Sequence, residues 1–223
     1  FLGRVGAQLR CAKTAFLREN TPIRPVNRAP AKTAATLPPD APLHYDSLPM
    51  RTDSIQQLRL RLRDCGAKAC HEQRVFRAWL QARPLDSGAR RHRPEDFLPL
   101  GIRNVLPELT AELDGLARVR SEHAGGDGSA RLLVELADGQ TVESVLLPRD
   151  GVCVSTQVGC AVGCLFCMTG RDGLLRQVGS AEIVAQVVLA RRRRPVKKVV
   201  FMGMGEPAHN LDNVLDAIDL LGT

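Results

Sequence analysis

Four of the seven cysteines fall in one short run, Cys153-Val-Ser-Thr-Gln-Val-Gly-Cys160-Ala-Val-Gly-Cys164-Leu-Phe-Cys167. The spacing Cys160-x3-Cys164-x2-Cys167 puts three thiols on one tight loop, and Gly159 and Gly163 allow the backbone to bend there. Three thiolates can ligate three irons of a [4Fe–4S] cluster and leave the fourth iron open to a ligand, whereas a fourth cysteine would close the cluster into an electron carrier. A zinc site completed by Cys153 is a competing reading, although its distance from Cys160 departs from the usual short CxxC pairs. Unligated structural thiols are a third. Cys65 and Cys70 read as incidental thiols, and His71 and His92, set among arginines, read as surface residues.

A second constellation is Phe201-Met-Gly-Met-Gly-Glu-Pro207. It follows an apolar strand-like run, at the carboxyl edge where ligands of α/β folds bind. Its glycines let a ligand approach the backbone, and Glu206 can accept a hydrogen bond from an ammonium group. Taken alone, such a turn is more often a plain connection.

The elements that must carry these residues follow from periodicity. Ile55, Leu58, Leu60 and Leu62, then Val75, Phe76, Trp79 and Leu80, recur with helical spacing, and a third helix is expected from Ile102 to Leu116. Residues 50–123 therefore read as a small helical accessory domain. The apolar runs Ala130–Leu136 and Thr141–Leu147 flank Asp138-Gly139, which predicts a β-hairpin over 130–147. Val152–Ser155 is a strand candidate, and the cluster loop spans 159–170. Ser180 is expected to cap a helix running to about Arg193, with Glu182 in its first turn. Lys197–Met202 reads as a buried strand, and Leu211–Leu221 as an amphipathic helix. The alternation implies an α/β fold with parallel pairing, the first βα units of a barrel, over residues 124–223. Two units do not close a barrel, so this domain reads as cut short.

The chain has 223 residues and a net charge of +7 from 31 Lys+Arg against 24 Asp+Glu. That balance suits a polyanionic partner such as RNA. Apolar runs are too short to span a bilayer. Clustered cysteines without a secretory signal point to metal ligation in a reducing compartment. Arg191–Arg194 at a helix end read first as cations offsetting the helix dipole, and second as contacts for RNA phosphates. Residues 1–49 begin with Phe1 rather than Met and are rich in Arg, Ala and Pro. They read as a disordered extension, as sequence upstream of a true start at Met50, or as a transit peptide, which the absence of serine before Ser47 disfavours.

The CxxxCxxC loop after a strand, with Phe166 before the last cysteine, resembles the cluster loop of radical S-adenosylmethionine (SAM) enzymes. The Gly203–Pro207 turn is similar to the SAM-amino-group motif of that superfamily, which carries over to Gly205 and Glu206. More narrowly, Glu143-Ser-Val-Leu-Leu-Pro148, Cys153-Val-Ser-Thr-Gln-Val-Gly-Cys160 and Gly203-Met-Gly-Glu-Pro207 resemble the RlmN/Cfr family, which methylates C2 of an adenine in 23S ribosomal RNA.

The resemblance implies a [4Fe–4S] cluster held by Cys160, Cys164 and Cys167, SAM bound at its open iron, and a soluble, cytoplasmic, monomeric enzyme. It implies 23S rRNA as substrate, with transfer RNA left open, and an electron donor such as flavodoxin. In that family one SAM methylates a protein cysteine and a second makes the radical that activates the methyl group for addition to C2. A base then removes the C2 proton, and another cysteine resolves the protein–RNA adduct by forming a disulfide. By motif position Glu143 corresponds to the base and Cys153 to the resolving cysteine. The methyl-carrying cysteine lies far towards the C-terminus in the family, and no cysteine follows Cys167 here. The expectation is therefore a C-terminally truncated chain whose activity as it stands is doubtful. A radical SAM enzyme for another substrate and a non-catalytic fragment remain alternatives.

Overall fold

The computed structural model describes residues 54–88 and 93–223, all within one compact unit. The expected N-terminal extension and His92 lie outside the described residues. Helices α1 (Ile55–Asp64), α2 (Ala69–Leu80) and α3 (Leu100–Gly115) come first. Strands β1 (Ala117–Ala124), β2 (Ala130–Leu136), β3 (Thr141–Leu147) and β4 (Gly151–Cys153) follow as an antiparallel meander. A two-stranded ribbon, β5 (Gln157–Gly159) and β6 (Leu174–Gln177), brackets the cysteine loop. Helix α4 (Ser180–Arg191), strand β7 (Lys198–Val200) and helix α5 (Leu211–Leu221) complete the chain. The main sheet has the order β1-β2-β3-β4-β7, and β4 pairs with β7 in parallel. The α/β class and the crossover through α4 match the sequence expectation, as do β2, β3 and α5 to the residue.

Strand alternation explains how the sheet is dressed. Leu132, Val134, Val142, Leu146 and Val152 lie on one face and are fully or almost fully buried. That face packs in one apolar core with Ile55, Leu58, Val75, Trp79 and Ile102 of the first three helices and with α4. Each such side chain removed from water contributes about 1.5–3 kcal/mol. Helix α4 is buried on every side from Ser180 to Ala190, which is why its sequence shows no polar stripe.

Three sequence expectations are corrected here. The boundary at 123/124 falls inside β1, so the helical segment and the sheet are joined by a shared strand and a common core. The hairpin over 130–147 is the inner part of a longer meander. Strand β1 escaped notice because it is an edge strand exposed along most of its length, so burial imposed no apolar alternation on it. Nor does Ser180 cap α4. Gly179 occupies the cap, and its N–H donates to the Glu182 carboxylate at 2.9 Å. The Ser180 hydroxyl instead accepts the first-turn N–H of Ile55 at 3.0 Å, docking α1 onto α4.

Candidate active site

Strand β4 and the turn after β7 are stitched together residue by residue. The N–H of Val154 donates to Val200 O at 2.9 Å, and the N–H of Gly203 donates back to Val154 O at 3.0 Å. Met204 O accepts from the N–H groups of Thr156 and Gln157, while Met204 N donates to the Ser155 hydroxyl at 2.8 Å. Gln157 then receives the N–H of Glu206 on its side-chain oxygen at 2.8 Å and donates to Gln177 at 3.0 Å. The Asn210 amide donates to the carbonyls of Thr156 and Val178 at 2.7 and 2.8 Å. Two segments far apart in sequence therefore form one rigid shelf.

Glycine is required on that shelf. Gly205 has φ +97°, and a Cβ there would stand 2.5 Å from Gln157 Cβ. A Cβ on Gly203 would stand 2.6 Å from Ser155 Oγ and 2.7 Å from Val154 O. Glu206 caps the following 3-10 turn by accepting from Ala208 N at 3.2 Å. Among the described residues the second oxygen of its half-buried carboxylate has no partner, so it could accept from a ligand.

The cysteine loop leaves the shelf through β5 and returns through β6. Its base is pinched: Cys160 N donates to Gly173 O at 3.0 Å, and a Cβ on Gly159 would stand 2.1 Å from that same oxygen. A second pinch follows, where a Cβ on Gly170 would meet Gly163 Cα at 3.0 Å. Cys160 is buried beside the first pinch, while Cys164 and Cys167 are exposed at the tip and joined by a turn from Cys167 N to Cys164 O of 3.0 Å. Hydrogen bonds from the Thr169 side chain and then its backbone lower the Cys167 thiol below the ordinary range, outweighing burial. Among the described residues no set of three His, Cys, Asp or Glu side chains is drawn together as a metal site. The loop brings the three thiols into one short segment without converging them.

The donor set nevertheless fits an iron–sulfur cluster. Thiolates are the ligands such clusters take, and the tip carries little packing that would resist closure: Leu165 and Phe166 are 106% and 92% exposed.

Glu143 and Cys153 are brought to one side of the sheet. Val145 pairs with Cys153 across β3 and β4, so Glu143, two residues along β3, points to the same face as Cys153. This is the face opposite the helices. Glu143 is half-exposed there and pairs with Arg131 at 3.3 Å. Cys153 is buried, and burial pushes its thiol up against the opposing pull of the Met202 backbone. Directly behind, Gln186 of α4 holds the strand: its side-chain oxygen accepts from Ser144 Oγ and Ser155 N, both at 2.9 Å, and its nitrogen donates to Ser155 O at 3.0 Å. Arg176 of β6 ties the ribbon to the fold through Glu182 at 2.8 Å and Asp138 at 2.6 Å. Burial opposes its charge, but the hydrogen bonds to these two carboxylates prevail and raise its pKa.

Sequence reasoning missed Ser155, Gln157, Gln177, Gln186 and Asn210. The available signal was a run of three polar residues, Ser155-Thr156-Gln157, in a chain segment too apolar to expose them. Arg191–Arg194, the alternative phosphate contacts, are engaged within the fold. Arg191 donates to Leu80 O, Arg192 pairs with Asp114, Arg193 pairs with Glu122, and Arg194 donates to Gly128 O and Leu147 O. Cys65 ends α1 and is half-buried, Cys70 is exposed, and His71 Nδ1 accepts from Lys68 N at 3.1 Å as part of the α2 cap. No helix among the described residues is long and apolar enough to cross a membrane.

Comparison with known proteins agrees with this geometry. The Radical SAM superfamily profile matches residues 154–222, from the start of the shelf to the end of α5. A probable RNA methyltransferase of Leptothrix cholodnii is 75% identical over 174 residues, covering 78% of this chain and 49% of that protein. One from Pseudomonas aeruginosa is 74% identical over 168 residues, covering 75% of this chain and 49% of its own length. The crystal structure of a radical SAM methyltransferase from Sphaerobacter thermophilus superposes with a TM-score of 0.59 and 33% identity, covering 78% of this chain and 52% of that one. The chain spans about half the length of the curated relatives it matches, and its shelf and cysteine loop lie within the residues that the Radical SAM superfamily profile matches.

Proposed function

We propose that this chain is the cluster- and SAM-binding part of a radical SAM enzyme that methylates C2 of an adenine in 23S rRNA, with transfer RNA as a possible second substrate class to be resolved by assay. The observation that carries the reading is the shelf, which fixes the cysteine loop, Cys153 and the Gly203–Pro207 turn against one another through Ser155 and Gln157. Support for RNA comes from relatives named as probable RNA methyltransferases and from the net charge of +7.

Each residue then has a chemical task. Cys160, Cys164 and Cys167 would hold three irons of a [4Fe–4S] cluster, which supplies a single electron to the sulfonium of SAM. Gly205 lets the turn close onto Gln157 and so sets the position of Glu206, whose carboxylate would accept from the SAM ammonium. Glu143 accepts the proton leaving C2, and Arg131 keeps that carboxylate oriented. Cys153 resolves the adduct. Burial keeps its thiol protonated and so unreactive towards oxidants until a partner sulfur arrives. A small reduced flavoprotein is the proposed electron source, and the methyl-carrying cysteine is proposed to come from the part of the relatives that this chain does not span.

The test uses this chain joined to the remaining part of the Leptothrix cholodnii relative, reconstituted anaerobically and supplied with SAM, a low-potential reductant and a 23S rRNA fragment. The expected product is 2-methyladenosine in the digested RNA. Radical cleavage of SAM without any modified adenosine would refute the RNA reading while leaving the cluster site intact.

A further inference from the structure

The structure assigns a docking site for the RNA phosphate backbone to a basic cleft on α2, away from the shelf; this inference rests on the RNA reading above. The cleft has a volume of about 450 Å³ and is lined by Arg74, Arg77 and Arg83 together with neutral residues such as Gln73, Gln81 and Ser87. Among the described residues no carboxylate lines it. Several other arginines of the described fold are matched with acids, Arg63 with Glu72, Arg118 with Glu135 and Arg192 with Asp114, while Arg191 and Arg194 are engaged by backbone carbonyls. Three guanidinium groups left unneutralised in one concavity repel one another. They persist at least cost where an anion completes them.

The arginines are held in place. Gln73, Arg74, Arg77 and Gln81 recur on one face of α2 and its C-cap. Arg74 lies over the Phe97 ring at 4.3 Å, and Gly88 packs close to the same ring, where a Cβ would stand 2.5 Å from Phe97 Cε1. Arg83 is brought back over the helix end by Ala82, which has φ +52°. The turn closes through Ala82 N to Trp79 O at 2.8 Å and Arg83 N to Ala78 O at 2.9 Å. Glycine is the usual residue for that turn, so the alanine holds a strained left-handed backbone there. The planar, multidentate guanidinium groups match phosphate geometry. The proposed contacts are to phosphates, so binding should be insensitive to sequence.

The probe is a fluorescein-labelled single-stranded RNA bound to the chain itself, followed by anisotropy across a range of KCl. Arg77→Gln and Arg83→Gln are each expected to lower the slope of log K against log[KCl] by about 0.7 and to weaken binding equally for unrelated sequences. Arg118→Gln, on the exposed edge strand, should leave the slope unchanged. Urea midpoints equal to the parent would show that the exposed substitutions leave the fold intact. Parent-like slopes in both cleft variants would overturn the proposal while sparing the RNA reading. Failure of the parent to bind RNA would overturn both. Binding of polyglutamate as tight as RNA, lost in the same variants, would overturn the assignment to RNA in favour of an acidic protein.

Discussion

Gln186→Leu is the substitution that most directly tests how the shelf is held. Gln186 sits in a helix whose other faces are apolar, and leucine matches its volume closely, so the change deletes an amide without opening a large cavity. It strands three buried groups: the Ser144 hydroxyl, the Ser155 N–H and the Ser155 carbonyl, whose described partners are all on Gln186. An unsatisfied buried polar group costs about 1–3 kcal/mol, so three place the loss at roughly 3 kcal/mol or more. That is a large share of the ~5–15 kcal/mol typical of a domain. With a urea m-value of ~2 kcal/mol/M the midpoint should fall by about 1.5 M. Ser144→Ala is the control. It removes one donor while Gln186 stays bonded to Ser155, and should cost about 1 kcal/mol. Urea denaturation followed by circular dichroism gives both numbers. A Gln186→Leu variant no less stable than Ser144→Ala would refute the reasoning.

Other outcomes follow from the same geometry. Gly205→Ala should lower stability by about 1–3 kcal/mol, because the residue must leave φ +97° or push Gln157 aside. Calorimetry should show it, together with loss of the SAM-induced change in the reconstituted protein. Arg176→Met removes the cation from the buried Glu182, which keeps only the Gly179 N–H, and should cost up to about 3–5 kcal/mol, less in proportion to the 28% of the Arg176 side chain that is exposed. Chemical denaturation would measure it. The buried Cys153 thiol has its pKa raised in the fold, so the unfolded chain ionises first as pH rises. Its contribution to stability is intact below the ordinary thiol pKa of about 8.5 and is lost above it as pH climbs through the folded value. Comparing urea midpoints of the parent and Cys153→Ala at pH 7 and pH 9.5 should show the parent losing more; equal losses would count against it. Ala82→Gly should raise stability by about 1 kcal/mol through relief of the left-handed backbone.

What the sequence made legible was whatever periodicity or spacing encodes. β2 and β3 showed themselves because one face is buried and the other is not. The three cysteines showed themselves because a cluster loop needs thiols close in sequence. Strand β1 left no trace because its residues face solvent, and β5 and β6 are too short to establish a period. The amides of Gln157, Gln186 and Asn210 were illegible for a different reason. Their principal partners are backbone groups and polar side chains 20 to 54 residues away, and no local pattern marks a long-range hydrogen bond. Ser180 misled because a serine at a helix start is the commonest cap, and here its hydroxyl was taken by a different helix.

The account turns on how many iron atoms the protein itself ligates. Anaerobically reconstituted, reduced chain should give a [4Fe–4S]+ electron paramagnetic resonance signal that shifts when SAM is added. That signal should vanish in each of Cys160→Ala, Cys164→Ala and Cys167→Ala, and persist in Cys153→Ala. A signal indifferent to SAM, or one abolished by Cys153→Ala, would mean that a fourth protein ligand fills the site and would contradict the account.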